Sequence, residues 1–235
     1  MTLISCCLCA AALTTPTWPS KPFKVEAVPL PAASVTNFSA WSQVPSTALM
    51  PCGGRFIYRN ETRVRFAWTA DALCFFFEAK DDDVLHDAPA RTDQLFCFGD
   101  TVELFVKRPE ERSYWEFHFA ASGRNGAIRF PSRGKRMPWC VKYLPFEGLV
   151  QKTEIDGTLN DDTDRDRGWR AIVCLPWKSL GVAKATAGDR LRVQVASVAY
   201  SLYADGDEKS HLYSRDGAQS DPHALEDWCE LELKP

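Results

Sequence analysis

The chain has 235 residues, of which 45% are hydrophobic and 12% aromatic, so it can bury a core and is neither a disordered tail nor a peptide hormone. Its 28 Lys and Arg against 31 Asp and Glu leave a formal charge of −3, which argues against a basic surface for nucleic acid or anionic lipid. No stretch of 18 apolar residues occurs, so we expect no transmembrane span in the mature chain.

Residues 1–13 are apolar and small, which is typical of the hydrophobic part of an export signal, although no Lys or Arg precedes them. Cys6 ends the run LISC, a pattern that fits a bacterial lipoprotein cleavage site if translation starts upstream of Met1. We therefore expect an exported protein: periplasmic, anchored to the outer membrane as a lipoprotein, or extracellular. An ordinary N-terminus is the alternative.

Segment 14–54 is rich in proline, which disrupts regular helix. We predict a loop-like N-terminal wrap around a core built elsewhere. Seven prolines interrupt the segment: Pro16, Pro19, Pro22, Pro29, Pro31, Pro45 and Pro51.

The remainder, 55–235, is predicted as one all-β domain, an antiparallel β-sandwich with an immunoglobulin-like two-sheet architecture. Apolar and polar residues alternate in short segments separated by turn residues, as in half-buried strands. The predicted strands are 62–68, 73–79, 100–107, 113–121, 126–130, 149–155, 168–175, 189–200 and 227–233. The alternation places the following residues in a common core: Val64, Phe66, Trp68, Phe75, Phe77, Val102, Leu104, Trp115, Phe117, Val193 and Val195.

Motifs for catalysis are absent, including GxSxG, a Walker loop, HExxH and a strand followed by GxGxxG. We therefore expect a protein that is not an enzyme. The six cysteines of the body form no CxxC pair and no Cys/His cluster at zinc spacing, so no zinc ribbon is expected, while one disulfide in the body remains open. Each of the four histidines is expected to be solvated, and no metal-ligating residue is named.

A series of segments in the body resembles the family 9 carbohydrate-binding modules and their family-9-like relatives. The segments are, in order, DALCFFFEAKDDDV, GDTVELFV, YWEFHF, GWRAIVCLPWKSLG, GDRLRVQVA, and HLYS with PHALEDWCELEL. The resemblance covers about residues 55–233, and the ordered series is more specific than any one segment. It implies a β-sandwich that binds sugars, often beside polysaccharide-degrading enzymes in bacteria.

The resemblance also implies a binding site, in which two aromatic rings hold a sugar while charged and amide side chains bond its hydroxyls. The first aromatic falls on Phe98 or Phe96, where the family usually has Trp. The acidic position falls on Glu103 and the basic one near Arg124. The second aromatic falls on Tyr213.

Ser210 stands where the family often has Asn three residues before this second aromatic. Core packing is the alternative role of Phe96 and Phe98, and a solvated position or an ion pair with Arg is the alternative for Glu103.

No cofactor is expected beyond a structural calcium ion, which the resemblance allows. The oxygen-rich stretches 81–83 and 162–168 are candidates, although neither fits an EF-hand.

We expect the partner to be a mono- or oligosaccharide, or a polysaccharide end. Two alternatives stay open: a haem-binding electron-transfer sandwich of the same superfamily, with Met50, Met137 or His118 as axial ligands, and a structural sandwich that has lost its sugar site.

Overall fold

The structure is a computed structural model that describes residues 24–51, 61–90, 94–133, 142–143, 146–200, 208–211 and 221–235, with backbone alone at 51, 142–143 and 208–211. The helices in these ranges are short 3-10 helices of three to six residues, and none is long and apolar enough to cross a membrane. Strands dominate, as the sequence alternation predicts. They are β1 Lys24–Pro29, β2 Ser46–Ala48, β3 Met50–Pro51, β4 Thr62–Trp68, β5 Ala72–Ala79, β6 Thr101–Lys107, β7 Tyr114–Ala120, β8 Asn125–Phe130, β9 Lys142–Tyr143, β10 Val150–Asp156, β11 Gly168–Pro176, β12 Arg190–Ala199, β13 Glu208–His211 and β14 Cys229–Leu233.

The described strands form one continuous mixed sheet in the order β10-β11-β5-β4-β1-β14-β12-β6-β7-β8-β9, with β2, β3 and β13 attached at its sides. The expected all-β fold is confirmed. The expected two-sheet, purely antiparallel sandwich is not confirmed, because the described strands form a single sheet in which β1 runs parallel to both β14 and β4. Parallel neighbours need a long crossover, and residues 30–61 provide the one from β1 to β4.

The sheet curls so that its two halves face each other across a shared core. One half holds β4, β5, β10 and β11, and the other holds β6, β7, β8, β9, β12 and β14. The Phe75 ring of β5 meets the Phe119 ring of β7 at 5.3 Å between centroids, and Thr62 Oγ1 lies 3.1 Å from Ser197 Oγ. Every predicted core residue lies in this core, with Trp68 and Trp115 only partly buried at its edge.

The outer face of the first half is covered by the proline-rich segment, which the sequence predicts as a wrap. Trp41 is buried against Phe76, and its indole Nε1 donates to the Val35 carbonyl oxygen at 2.8 Å. The wrap is not all loop, however, because β1 inserts into the sheet with Val25 and Ala27 buried.

The outer face of the second half is covered by the segment before β14. Trp228 is fully buried against Phe105 and Tyr114, and its Nε1 donates to the Pro222 carbonyl oxygen at 2.7 Å. This face carries Glu103, because Val102 and Leu104 point into the core.

Candidate functional site

The loop between β5 and β6 frames the predicted site and is held by buried carboxylates. Asp100 Oδ2 accepts from the Leu85 amide and its Oδ1 from the Tyr200 amide, both at 2.7 Å. Asp166 Oδ2 accepts from the Val84 amide at 2.6 Å. These bonds fix both ends of the loop by satisfying backbone donors that would otherwise be buried without partners.

Asp81 and Asp100 are crowded together at the base of this loop. Burial and the nearby Asp100 carboxylate raise the pKa of Asp81 to about 9. Burial also raises the pKa of Asp100 to about 8, although its two backbone hydrogen bonds work in the other direction. Asp81 Oδ2 is buried and has no hydrogen-bond partner.

Phe96 and Phe98 lie at the end of this loop, in and just after a 3-10 turn over Leu95–Cys97. Phe98 is 37% exposed. Phe96 is half-buried, and its ring meets the His118 ring edge-on at 5.3 Å. Gly99 has φ +134°, and a Cβ there would lie 2.2 Å from the Leu85 carbonyl oxygen, so only glycine lets the loop pass this close to residue 85. The two rings thus differ: Phe98 is available to a ligand, and Phe96 is packed on His118.

Glu103 lies in the middle of β6, opposite His118 of β7 and Ala196 of β12. It is buried. His118 Nε2 lies 3.3 Å from Glu103 Oε1 and 2.6 Å from Glu116 Oε1. The side-chain partner of Glu103 is therefore a histidine and not the arginine that was considered as an alternative. His118 is fully buried and not solvated as expected, because the loop with Phe96 covers it.

Arg124 lies in the turn after β7, next to the site loop. Its Nη1 donates to the carbonyl oxygens of Ala88 at 2.7 Å and Pro89 at 3.0 Å, and its Nη2 to that of Ala90 at 3.5 Å. In the same loop, His86 Nδ1 lies 2.7 Å from the hydroxyl oxygen of Ser122. The predicted sugar-binding arginine thus ties the loop to the β7–β8 turn.

The late part of the predicted site is described only by backbone. On β13, Ser210 pairs with Ser197 of β12 and His211 pairs with Ala196 of β12. On its other side, Ala196 pairs with Glu103 of β6. Residue 211 is therefore two strands from Glu103, on the order of 10 Å. Tyr213 lies outside the described residues, and its convergence with Phe98 and Glu103 stays a prediction.

Two site residues escaped the sequence analysis. Glu116 and His223 join His118 on the outer face, with His223 Nε2 3.6 Å from Glu116 Oε2 and His223 Nδ1 2.7 Å from the Tyr114 hydroxyl. The alternation in YWEFHF already places Glu116 and His118 on one face with Glu103. Nothing in the pattern links them to His223, which the fold brings from more than a hundred residues away.

Met50 and His118, two residues considered as haem ligands, are placed by the structure, whereas Met137 lies outside the described residues. Met50 belongs to β3, which pairs with β13. His118 Nε2 is already engaged by Glu116.

A concavity of about 720 Å³ lies on the other half of the sheet, on β4, β5, β10 and β11. Its acidic and basic side chains pair with each other, as in Arg170–Glu154 at 2.7 Å and Arg63–Glu61 at 2.5 Å. Of the predicted site residues whose side chains the structure describes, Phe96, Phe98, Glu103 and Arg124, none lines it.

The comparisons with known proteins find likeness in structure alone. No protein-family model matches the chain, and no curated protein matches it. Among solved structures, a candidate carbohydrate-binding protein from Bacteroides uniformis superposes with a TM-score of 0.75 at 12% identity, over 91% of this chain and 100% of the other.

Family 9 carbohydrate-binding modules from Caldicellulosiruptor kristjanssonii superpose over 90% of this chain. One, in complex with cellotriose, has a TM-score of 0.60 at 13% identity and is covered over 93% of its length. Another, in complex with glucose, has a TM-score of 0.59 at 12% identity and is covered over 95% of its length. The fold that the resemblance implies, that of a family 9 carbohydrate-binding module, is thereby confirmed.

Proposed function

We propose that this chain is a carbohydrate-binding protein without catalytic activity, whose ligand is a mono- or oligosaccharide or a polysaccharide end. The observation that carries the proposal is the exposed Phe98 ring at the end of the loop that leads into β6, the strand of Glu103, in a fold that in solved structures accompanies cellotriose and glucose. The site combines an apolar platform with an acceptor for hydroxyl groups.

The platform suits a sugar because a pyranose presents a face of C–H groups that stacks on an aromatic ring. Phe98 offers such a surface, whereas Phe96 supports His118 from the side. Tyr213 is proposed as the second ring. Two ring–sugar contacts of about 3.5–4 Å each would place the rings on the order of 7–8 Å apart.

The polar part of the site differs from the one that the resemblance implies. Glu103 is proposed to accept a sugar hydroxyl, since a carboxylate oxygen forms strong, directional bonds with hydroxyl donors. Arg124 is proposed to act through the loop it holds, and Ser210 to supply a hydroxyl where the family often has an amide.

The test is a glycan array on the chain from Thr14 onward, followed by calorimetry with the best-bound sugar. Phe98→Ala should weaken binding about tenfold or more, because the stacked face loses its partner. Val150→Ala is the matched control: Val150 is 45% exposed and lies in β10, on the other half of the sheet. This control should bind like the unmodified chain, and both variants should keep their melting temperatures.

Two results would overturn the proposal. One is a chain that binds no glycan on the array while retaining its fold by circular dichroism. The other is equal affinity in the Phe98→Ala and Val150→Ala variants, which would remove the stacking site even if binding occurs.

A structural calcium ion belongs to the same proposal. Its donors would come from the candidate stretch 81–83, where the buried Asp81 Oδ2 has no hydrogen-bond partner and fits a hard cation. Bound there, calcium would neutralise the acidic cluster. Addition of CaCl₂ to chelator-treated protein should raise the melting temperature, and Asp81→Asn should abolish the rise.

Export is proposed from the apolar residues 1–13. A chain that retains Met1–Leu13 in the cytosol of its native host would contradict it. We further propose that the protein acts together with a polysaccharide-degrading enzyme.

A further inference from the structure

Beneath the proposed sugar site, the outer face of β6 and β7 carries two carboxylates and an imidazole in mutual contact. One ligand atom from each of Glu103, Glu116 and His118 lies within 4.8 Å of the other two, and all three residues are buried. The register explains the grouping, because Glu103 faces His118 across the strand pair and Glu116 stands two residues before His118.

The group has an acceptor without a donor. The Glu116 side chain is only 5% exposed, and its Oε2 accepts no hydrogen bond. The nearest charged partner of this oxygen is His223 Nε2, at 3.6 Å, which is beyond hydrogen-bond length. A buried carboxylate oxygen with no partner is costly, and a cation between Glu116 and the two imidazoles would satisfy it.

We propose that Glu103, Glu116, His118 and His223 bind a divalent transition-metal ion of the zinc class. Two imidazole nitrogens and two carboxylate oxygens form the mixed N/O set that Zn²⁺ accepts in four-coordinate sites. Calcium is disfavoured here, since it takes six to eight oxygen ligands. The proposal goes beyond sugar binding and shares only Glu103 with it.

The surroundings prepare both imidazoles as ligands. The Tyr114 hydroxyl lies 2.7 Å from His223 Nδ1, so it can hold the ring with Nε2 directed at Glu116. Such a bond to the second ring nitrogen is common for metal-binding histidines. Phe96 holds the His118 ring edge-on at 5.3 Å, and Phe105 does the same for His223 at 5.2 Å.

An ion can enter at the rim of the group. The Glu103 and His223 side chains are 8% and 15% exposed, whereas His118 is fully buried. Among the described residues, the ligand atoms of Glu103, Glu116 and His118 lie within 4.8 Å of one another, and His223 does not belong to that group. Binding therefore also requires the His223 ring to move towards Glu116, before its Nε2 reaches the length of about 2.0–2.2 Å of a metal bond.

The test is metal binding by the full chain after removal of metals with a chelator. Isothermal titration with ZnCl₂, and the visible absorption of tetrahedral cobalt after CoCl₂ addition, measure it without any sugar present. We expect one ion in this site. Glu116→Gln and His223→Gln should each weaken Zn²⁺ binding at least about a hundredfold, and Tyr114→Phe about tenfold to a hundredfold.

His86→Gln is the matched control, because His86 is also buried but lies in the site loop against Ser122. It should bind Zn²⁺ like the unmodified chain. His223→Gln, which alters the most exposed of the four ligands, serves where Glu116→Gln does not fold. The proposal is overturned if the stripped protein takes up no Zn²⁺, or if the folded Glu116 and His223 variants bind it as tightly as the control.

The result is independent of sugar binding. Loss of glycan binding in Phe98→Ala with metal binding intact would support both sites. Metal binding without any glycan binding would remove the proposed function and leave the metal site.

Discussion

Arg124 lies where the resemblance implies a basic sugar-binding residue, and in the structure its partners are carbonyl oxygens of the loop. Its guanidinium donates to Ala88, Pro89 and Ala90, and a planar group with five donors is suited to gather several acceptors. The same side chain can therefore influence sugar binding without touching the sugar, by fixing the loop that ends in Phe98.

We predict that Arg124→Ala destabilises this loop. Loss of the charge-assisted bonds should cost about 1–2 kcal/mol and speed amide hydrogen exchange in residues 86–98. Arg165→Ala is the control, since Arg165 makes an exposed ion pair with Asp82 of a kind that contributes little. Unchanged exchange in the loop of the Arg124 variant would show that the loop is held by other contacts.

A second residue-scale prediction concerns the thiols. Cys97 is exposed, whereas Cys74 and Cys174 face each other across β5 and β11. A hydrogen bond between these two thiols, together with burial, raises the pKa of Cys74 far above its usual range, and burial raises the pKa of Cys229 to about 12. Because the thiolate is the reactive form, the buried thiols should be inert in the folded protein.

Cys97→Ser should therefore remove one fast-reacting equivalent from a thiol titration of native protein with a disulfide reagent. Cys229→Ser should leave the fast phase unchanged and remove one equivalent only after unfolding. A fast phase that Cys97→Ser does not alter would contradict the exposure of this residue.

At the scale of elements, the acidic cluster between β5 and β6 makes stability depend on pH. Asp81 has a folded-state pKa of about 9, against an ordinary value near 3.9 in the unfolded chain. Between these values the folded state holds a proton that the unfolded state has released, so stability falls as the pH rises from about 4 towards 9.

We expect the free energy of urea unfolding, measured in the presence of a chelator, to be lower at pH 8 than at pH 5. Asp81→Asn, which cannot ionise, should recover about 1–3 kcal/mol of the difference. Asp162→Asn, at an exposed position, should recover none. If the difference in unfolding free energy between pH 5 and pH 8 persisted in full in Asp81→Asn, titratable groups other than Asp81 would be its cause.

Alternation was sufficient to predict most strands, because each has one face in the core and one outside. It did not predict β1, whose Lys24–Pro29 segment is short and ends in proline, nor its parallel pairing, since alternation carries no information on strand direction. In the site, Glu103 was placed correctly on the outer face. Its burial and its histidine partner were not foreseen, because they depend on cover from the Phe96 loop and the segment around His223.

At the scale of the molecule, β1 joins the two halves of the sheet in the hydrogen-bonding direction, and the core joins them face to face. The Phe75–Phe119 contact at 5.3 Å and 61° is an edge-on aromatic pair across that core. Both rings are fully buried. The two halves should therefore unfold together in one cooperative transition.

A double-mutant cycle tests this closure. Phe75→Leu and Phe119→Leu should each lower the free energy of unfolding, and the pair should show a coupling of about 0.5–1.5 kcal/mol, as measured for aromatic pairs in contact. Phe75→Leu with Phe105→Leu is the control, because Phe105 belongs to the outer cluster with Trp228; these two effects should add within about 0.5 kcal/mol. Additive effects for Phe75 and Phe119, or two separate transitions in calorimetry, would contradict the coupling of the two halves through this contact.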